Sequence, residues 1–298
     1  MPKISLIGAG NVGSTIAHSI IQKQLTDIIL LDIDSELAKG KAMDLEDFQS
    51  LINGNLKIQG TDDYSLIQNS EVIVISAGLA RKKGTEITRE DLFKKNSEII
   101  TEIAKKIKKY SPKSIIITVT NPVDKMNELI FKEIPGDRKK IIGAGNLLDT
   151  VRLKTIISKE LKIPCSQIQT IVKGPHNDNM IPVFSNTNIN GKSILDIFSE
   201  KELQQISKNL KLRGKSIVDL MGSGYYAIGN VVSHMIEAIL LDTKQTIPAS
   251  VYLDGEYGIK GTSLGVLVSL GKKGAEIIEK DFKEKKELLE FSYKTEFI

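Results

Sequence analysis

The sequence predicts an α/β fold, a doubly wound parallel sheet in the first half followed by a mixed α+β second half. Three observations predict it. Short apolar runs alternate with longer helix-like stretches up to about Gly143, a glycine-rich turn joins the first run to the first helix, and the regular alternation then stops. Strand, helix, strand at this spacing builds right-handed crossovers, which give parallel strands.

The apolar runs lie at residues 4–7, 28–31, 72–75, 115–119 and 141–142. They are apolar at successive positions and do not alternate with polar residues, as strands covered by helices on both faces must be. Helices are expected at 12–22, 35–48, 90–109 and 125–132. After Gly143 the pattern predicts a long helix at 147–161, strands at 168–172 and 181–183, and helices at 202–215 and 225–241. Two strands at 249–253 and 265–269 and a charged C-terminal helix complete it. The expected division is into residues 1–143 and 144–298.

Composition narrows the function classes. With 41% hydrophobic and 26% charged residues over 298 positions, the chain is an ordinary globular sequence. No apolar run approaches the roughly 18 residues that span a bilayer, and the N-terminus lacks the apolar core of a secretory signal. A membrane partner is therefore not expected, nor is a bound metal. The net charge of +4 is spread over mixed-sign stretches such as Lys280-Asp281-Phe282-Lys283-Glu284, which argues against a nucleic-acid partner. Cys165 is the single cysteine, expected to be a small buried side chain, and a reducing, cytoplasmic setting fits. Only five of the 41 basic residues are arginines (Arg81, Arg89, Arg138, Arg152 and Arg213). In so lysine-rich a chain, each arginine hints at a planar, bidentate partner.

Gly8-Ala9-Gly10-Asn11-Val12-Gly13 has the form G-x-G-x-x-G, follows the first strand and opens the first helix. Asp32 ends the next strand, 19 residues after Gly13. That context makes a Rossmann dinucleotide fingerprint. Gly8 allows the tight turn, Gly10 the close approach of a pyrophosphate, and Gly13 the packing of helix on strand. Asp32 is suited to ribose hydroxyls and repels a 2′-phosphate, so NAD is expected over NADP.

Of three histidines, His18 and His234 sit inside helical patterns and read as ordinary helix residues. His176 lies just past a strand, in Gly174-Pro175-His176-Asn177-Asp178, where a group titrating near neutrality can transfer protons. Asp149 and Arg152 are three apart on a predicted helix and share a face. The segment from Ala77 to Gly84 and the pair Asn121-Pro122 leave the carboxyl ends of strands, where open α/β sheets bind ligands.

Taken together, Gly8 to Gly13, Leu31-Asp32-Ile33, Ala77 to Arg81 with Arg89-Glu90-Asp91-Leu92, Val119-Thr120-Asn121-Pro122, Leu148-Asp149-Thr150-Val151-Arg152 and Gly174 to Asp178 resemble the lactate/malate dehydrogenase family over nearly the whole chain. The resemblance implies a Rossmann NAD-binding domain (1–143) and a catalytic and oligomerisation domain (144–298). It implies His176 as acid/base, Asp149 as its orienting partner and Arg152 as the clamp on the C1 carboxylate. Arg89 would polarise the substrate carbonyl as its loop closes, and Asn121 would contact substrate or the nicotinamide ribose. Asn11, Val12, Asn96 and Val119 would join the glycines and Asp32 around the cofactor. In malate-type members a further loop arginine meets the distal carboxylate, and Arg81 matches it. Gly224 falls where lactate-type members place threonine, leaving room for a larger acid. The sequence departs from the malate-type pattern in a loop two residues longer between Arg81 and Arg89, and in Asn177 where relatives mostly carry glycine. The expected partner is a small dicarboxylate, malate or oxaloacetate, and the expected assembly a homo-oligomer of two or four chains. A lactate or broader 2-hydroxy-acid dehydrogenase is the near alternative, and a non-catalytic NAD-binding sensor the distant one.

Overall fold

The computed structural model describes residues 2–79 and 89–278, Arg89 by its backbone alone. The predicted C-terminal helix and Arg81 with its neighbours lie outside the described residues.

The first half alternates as expected: β1 (Lys3–Ile7), α1 (Asn11–Gln22), β2 (Asp27–Leu31), α2 (Ser35–Leu51), β3 (Ile58–Thr61), β4 (Val72–Ile75), α3 (Arg89–Tyr110), β5 (Ile115–Thr118), α4 (Val123–Glu133) and β6 (Ile141–Gly143). Six parallel strands run in the order β3-β2-β1-β4-β5-β6. The period-two geometry of a strand explains why the runs are apolar at consecutive positions. Ile4, Leu6, Val72 and Val74 face one core with Ile16 and Ile20 of α1. Ile7, Ile73 and Ile75 face the other, with Ile100, Ile103 and Ile107 of α3.

The edge strand β3 escapes a reading based on apolar runs, because Ile58-Gln59-Gly60-Thr61 exposes Gln59. Gly60 is required there, since a Cβ would lie 2.2 Å from the carbonyl oxygen of Ala38 in α2.

The second half comprises α5 (Gly145–Leu161), β7 (Ile168–Gln169), β8 (Val172–Lys173), β9 (Ile181–Pro182), β10 (Asn188–Ile189), β11 (Lys192–Ser193), α6 (Glu200–Met221), α7 (Tyr226–Leu240), β12 (Gln245–Asp254), β13 (Lys260–Gly271) and β14 (Gly274–Ile277). The single strand expected at 168–172 is two. β7 joins β10 and β11, whereas β8 pairs with β9. The break redirects the chain toward His176. Helix α6 starts with a full capping box, Ser199 and Glu202 bonding reciprocally. A third core, including Leu153, Ile157, Ile168, Leu203 and Ile206, holds α5 and α6 to the small sheet.

The parallel sheet does not end at β6. β12 pairs with it antiparallel, Ser250 opposite Gly143 and Val251 opposite Ile142, and β13 and β14 extend the sheet to nine strands. Side chains reinforce this seam. Asn127 donates to the Ser250 carbonyl at 3.1 Å, and Arg138 grips Glu256 with both terminal nitrogens while donating to the Tyr252 carbonyl. The paired guanidinium, foremost, holds the Glu256 carboxyl down at about 2. Arg138 therefore finds its bidentate partner inside the fold. Cys165 is exposed rather than buried, because it opens a short 3-10 turn after Pro164.

Candidate active site

The site collects at the carboxyl ends of β1, β4, β5 and β6, where the chain leaves the sheet toward its helices. Gly8, at φ +112°, makes the turn after β1, and a Cβ there would meet the Ala77 nitrogen at 2.7 Å. At Gly13 a Cβ would lie 1.9 Å from the Gly8 carbonyl, so only glycine lets α1 start this close to β1. Around Gly10 a Cβ would meet nothing within 4 Å, and no side chain caps the amides of α1. These exposed N–H groups at a helix N-terminus suit a pyrophosphate. Asn11 is exposed and Val12 half-buried at the same turn. Asp32 is half-buried beside the loop, accepting from the Ala9 nitrogen at 2.6 Å and the Asp34 nitrogen at 3.1 Å. The chain thus offers the donor array and the single carboxylate that a dinucleotide needs.

The neighbouring strand ends are braced. Thr120 donates to the Ala77 carbonyl at 2.7 Å, tying the segment after β5 to that after β4. Asn96, expected to line the cofactor, is fully buried between these segments; its Oδ1 accepts from the Leu79 nitrogen at 2.7 Å, and its Nδ2 donates to the carbonyls of Leu79 and Asn121. Val119 is half-buried after β5, and Asn121 is exposed ahead of a cis bond to Pro122.

The residues expected to serve proton transfer meet across the two halves. His176 Nδ1 lies 2.6 Å from Asp149 Oδ2, with Asp149 fully buried in α5. An ionised carboxylate can only accept, so Nδ1 carries the proton and Nε2 is left for a substrate oxygen. The ring packs on the start of α5, where a Cβ on Gly145 would come within 2.4 Å of it. Burial acts against the imidazolium, but the Asp149 charge and hydrogen bond, with Asp124 beyond, lift His176 above its ordinary value. On the opposite oxygen of Asp149, Arg152 Nη1 sits at 3.4 Å, so one carboxylate faces both the imidazole and the guanidinium. Burial, first, draws the Arg152 pKa down against the pull of Asp149.

Two residues near this centre were given no role in the site from the sequence. Asp124 is half-buried in α4 and accepts from the His176 backbone nitrogen at 2.8 Å; its only sequence signal is its place two residues past Pro122. Arg213, in α6, lies close enough that its charge also lowers Arg152. Its neighbour Gly214 faces the Arg152 guanidinium, where a Cβ would stand 3.2 Å from Nη1. The rarity of arginine was the available signal. Of the remaining histidines, His18 stacks on Phe48 and His234 lies 3.8 Å from Glu237, both away from this centre. Among the described residues no helix is long and apolar enough to cross a membrane. None of them cluster as three or more potential metal-binding acids, histidines or cysteines.

Known proteins carry the same organisation. Residues 2–143 match the lactate/malate dehydrogenase NAD-binding domain, and residues 147–294 match that family's alpha/beta C-terminal domain. The chain belongs to the lactate/malate dehydrogenase family. A malate dehydrogenase of Pelagibacter ubique is 40% identical over 97% of this chain and 93% of its own length. Among solved structures, the malate dehydrogenase of Cryptosporidium parvum superposes with a TM-score of 0.93 at 35% identity, covering 99% of this chain and 96% of its own. A lactate dehydrogenase of Eimeria maxima, solved with NADH and oxamate, gives 0.92 at 34% identity over 99% and 92%. Like the family, the chain is an NAD-dependent dehydrogenase built on a Rossmann sheet.

Proposed function

We propose that the chain catalyses reversible oxidation of (S)-malate to oxaloacetate. The observation that carries this is the His176–Asp149–Arg152 constellation beside an NAD-binding turn, in a chain 40% identical to a malate dehydrogenase. NAD, when bound, takes up or returns the hydride at C2. His176 Nε2 accepts the C2 hydroxyl proton in oxidation and returns it in reduction. Asp149 fixes the ring and stabilises the imidazolium, the orienting logic of other His–Asp pairs. Arg152 holds the C1 carboxylate by a charge-assisted pair. Arg89 is assigned to the carbonyl, Asn121 to substrate and ribose, and Arg81 to the distal carboxylate. Gly8, Gly10, Asn11, Val12, Gly13, Asp32 and Val119 are assigned to the cofactor. The division at residue 143 separates cofactor binding from catalysis in this reading.

The test follows NADH absorbance with oxaloacetate and pyruvate offered separately, for the wild type and Arg81→Gln. Oxaloacetate is expected to turn over faster, with that preference lost in Arg81→Gln. Preference for pyruvate in the wild type would leave a dehydrogenase whose longer loop selects another keto acid. We place the enzyme in the cytoplasm as a homo-oligomer. Light scattering should give a multiple of the 32.9 kDa chain mass, and the monomer mass itself would refute the assembly.

A further inference from the structure

Asp124 stands where three parts of the molecule meet. Its Oδ2 accepts from the backbone nitrogen of His176 at 2.8 Å, and its Oδ1 accepts from Ser250 Oγ of β12 at 2.5 Å. It lies in the first turn of α4, three residues after Asn121, whose carbonyl is itself held by Asn96. The half-buried carboxylate accepts from two donors and, among the described residues, from no cation, so both of its oxygens are spent on holding other segments. Among the described residues, the charged groups facing His176 are Asp149 and Arg152 from α5 and Asp124 from α4.

We propose that Asp124 is a positioning residue of the proton-transfer site: it holds the His176 loop in register with the Asn121-Pro122 segment and supplies the imidazole with a second negative charge. Asp149 alone would face Arg152 as well as His176, so part of its field is spent on the guanidinium. Asp124 has no cationic competitor in its hydrogen bonds and restores the bias toward imidazolium. Consistently, Asp124 contributes to the raised pKa of His176. Burial raises the pKa of Asp124 itself, while the Ser250 hydroxyl and the His176 amide oppose that by stabilising its anion. The same contacts couple geometry to charge. The segment bearing Asn121 and the loop bearing His176 are fixed to one carboxylate, so the groups serving hydride and proton transfer cannot drift independently.

The inference rests on the acid/base assignment of His176, and its test is arranged to separate the two. Only three histidines exist, so NMR titration can follow the His176 imidazole directly, with His176→Gln giving the assignment and no substrate needed. In Asp124→Asn, which keeps an acceptor but removes the charge, the His176 midpoint should move to lower pH. On the alkaline side, kcat/KM for keto-acid reduction should then fall roughly three- to tenfold, as loss of a nearby opposite charge requires. NADH affinity should stay within about twofold, a loss of charge at His176 having no path to the adenosine end. Asp124→Glu keeps the charge but cannot receive both donors in place, so its midpoint should stay near wild type while kcat drops. If the asparagine variant does not fold, the glutamate variant decides the matter, an unchanged kcat overturning the positioning role. An asparagine variant titrating like wild type, or a glutamate variant shifting as far as asparagine, would also overturn the proposal. A shifted midpoint in a protein inert toward every keto acid would leave Asp124 in its role and remove the proposed reaction.

Discussion

His176→Gln is expected to lower kcat for oxaloacetate reduction by about 10³-fold while leaving NADH binding close to wild type, the range for losing a positioned acid/base. Nδ1 is committed to Asp149 at 2.6 Å, so the substrate-facing nitrogen is the only ring position left to exchange a proton. The sign of the pH dependence follows from the raised pKa. Reduction needs the imidazolium, so its rate should fall as pH rises through a midpoint above the ordinary 6.5. Oxidation needs the neutral ring and should rise across the same interval. In His176→Gln both profiles should lose this transition. Steady-state rates between pH 5 and 10 measure it, and a loss under tenfold with the transition intact would remove His176 from proton transfer.

Arg152→Gln is expected to cost about 10³-fold in kcat/KM, chiefly as a rise in KM, as removal of one buried charge partner does. Arg152 is mostly buried, and among the described residues its Nε has no partner and only one terminal nitrogen reaches Asp149. That leaves the rest of the fork to meet a carboxylate. Arg152→Lys should recover little of the loss, because an ammonium cannot reproduce the planar fork. The substitution also strips Asp149 of a neighbour, so thermal unfolding must accompany the kinetics to separate folding from binding. A KM unchanged in a folded variant would put the carboxylate elsewhere, with Arg213 the next cation to test.

The elements legible in the sequence were those whose burial leaves an uninterrupted pattern. Strands such as Val72–Ile75 are buried at every position and announce themselves, and Gly8 and Gly13 sit where a Cβ would collide with backbone. β3 was not legible because one face is exposed, and β14 because only four residues extend an edge. The split between β7 and β8 depends on long-range pairing, which no local window contains. Asp149 and Arg152 could be placed together because a helix fixes their spacing. Asp124 could not be joined to His176, since 52 residues separate them and only the packed fold brings the carboxylate to the amide. The bonds by which Asn96 ties two backbone segments together were likewise beyond any local window.

The pairing of β12 with β6 also bears on how this architecture can change over time. Gly143 marks a boundary in sequence pattern, but hydrogen bonds and apolar side chains run straight across it. A chain divided there would present two fresh sheet edges, one on each piece, with Ile142 and Val251 no longer covered. Such edges invite pairing with foreign strands. The cofactor-binding half is therefore not a cassette that recombination could lift out and set beside a different catalytic half. Any new partner would have to bring its own antiparallel strand in the register of Ser250 and Val251.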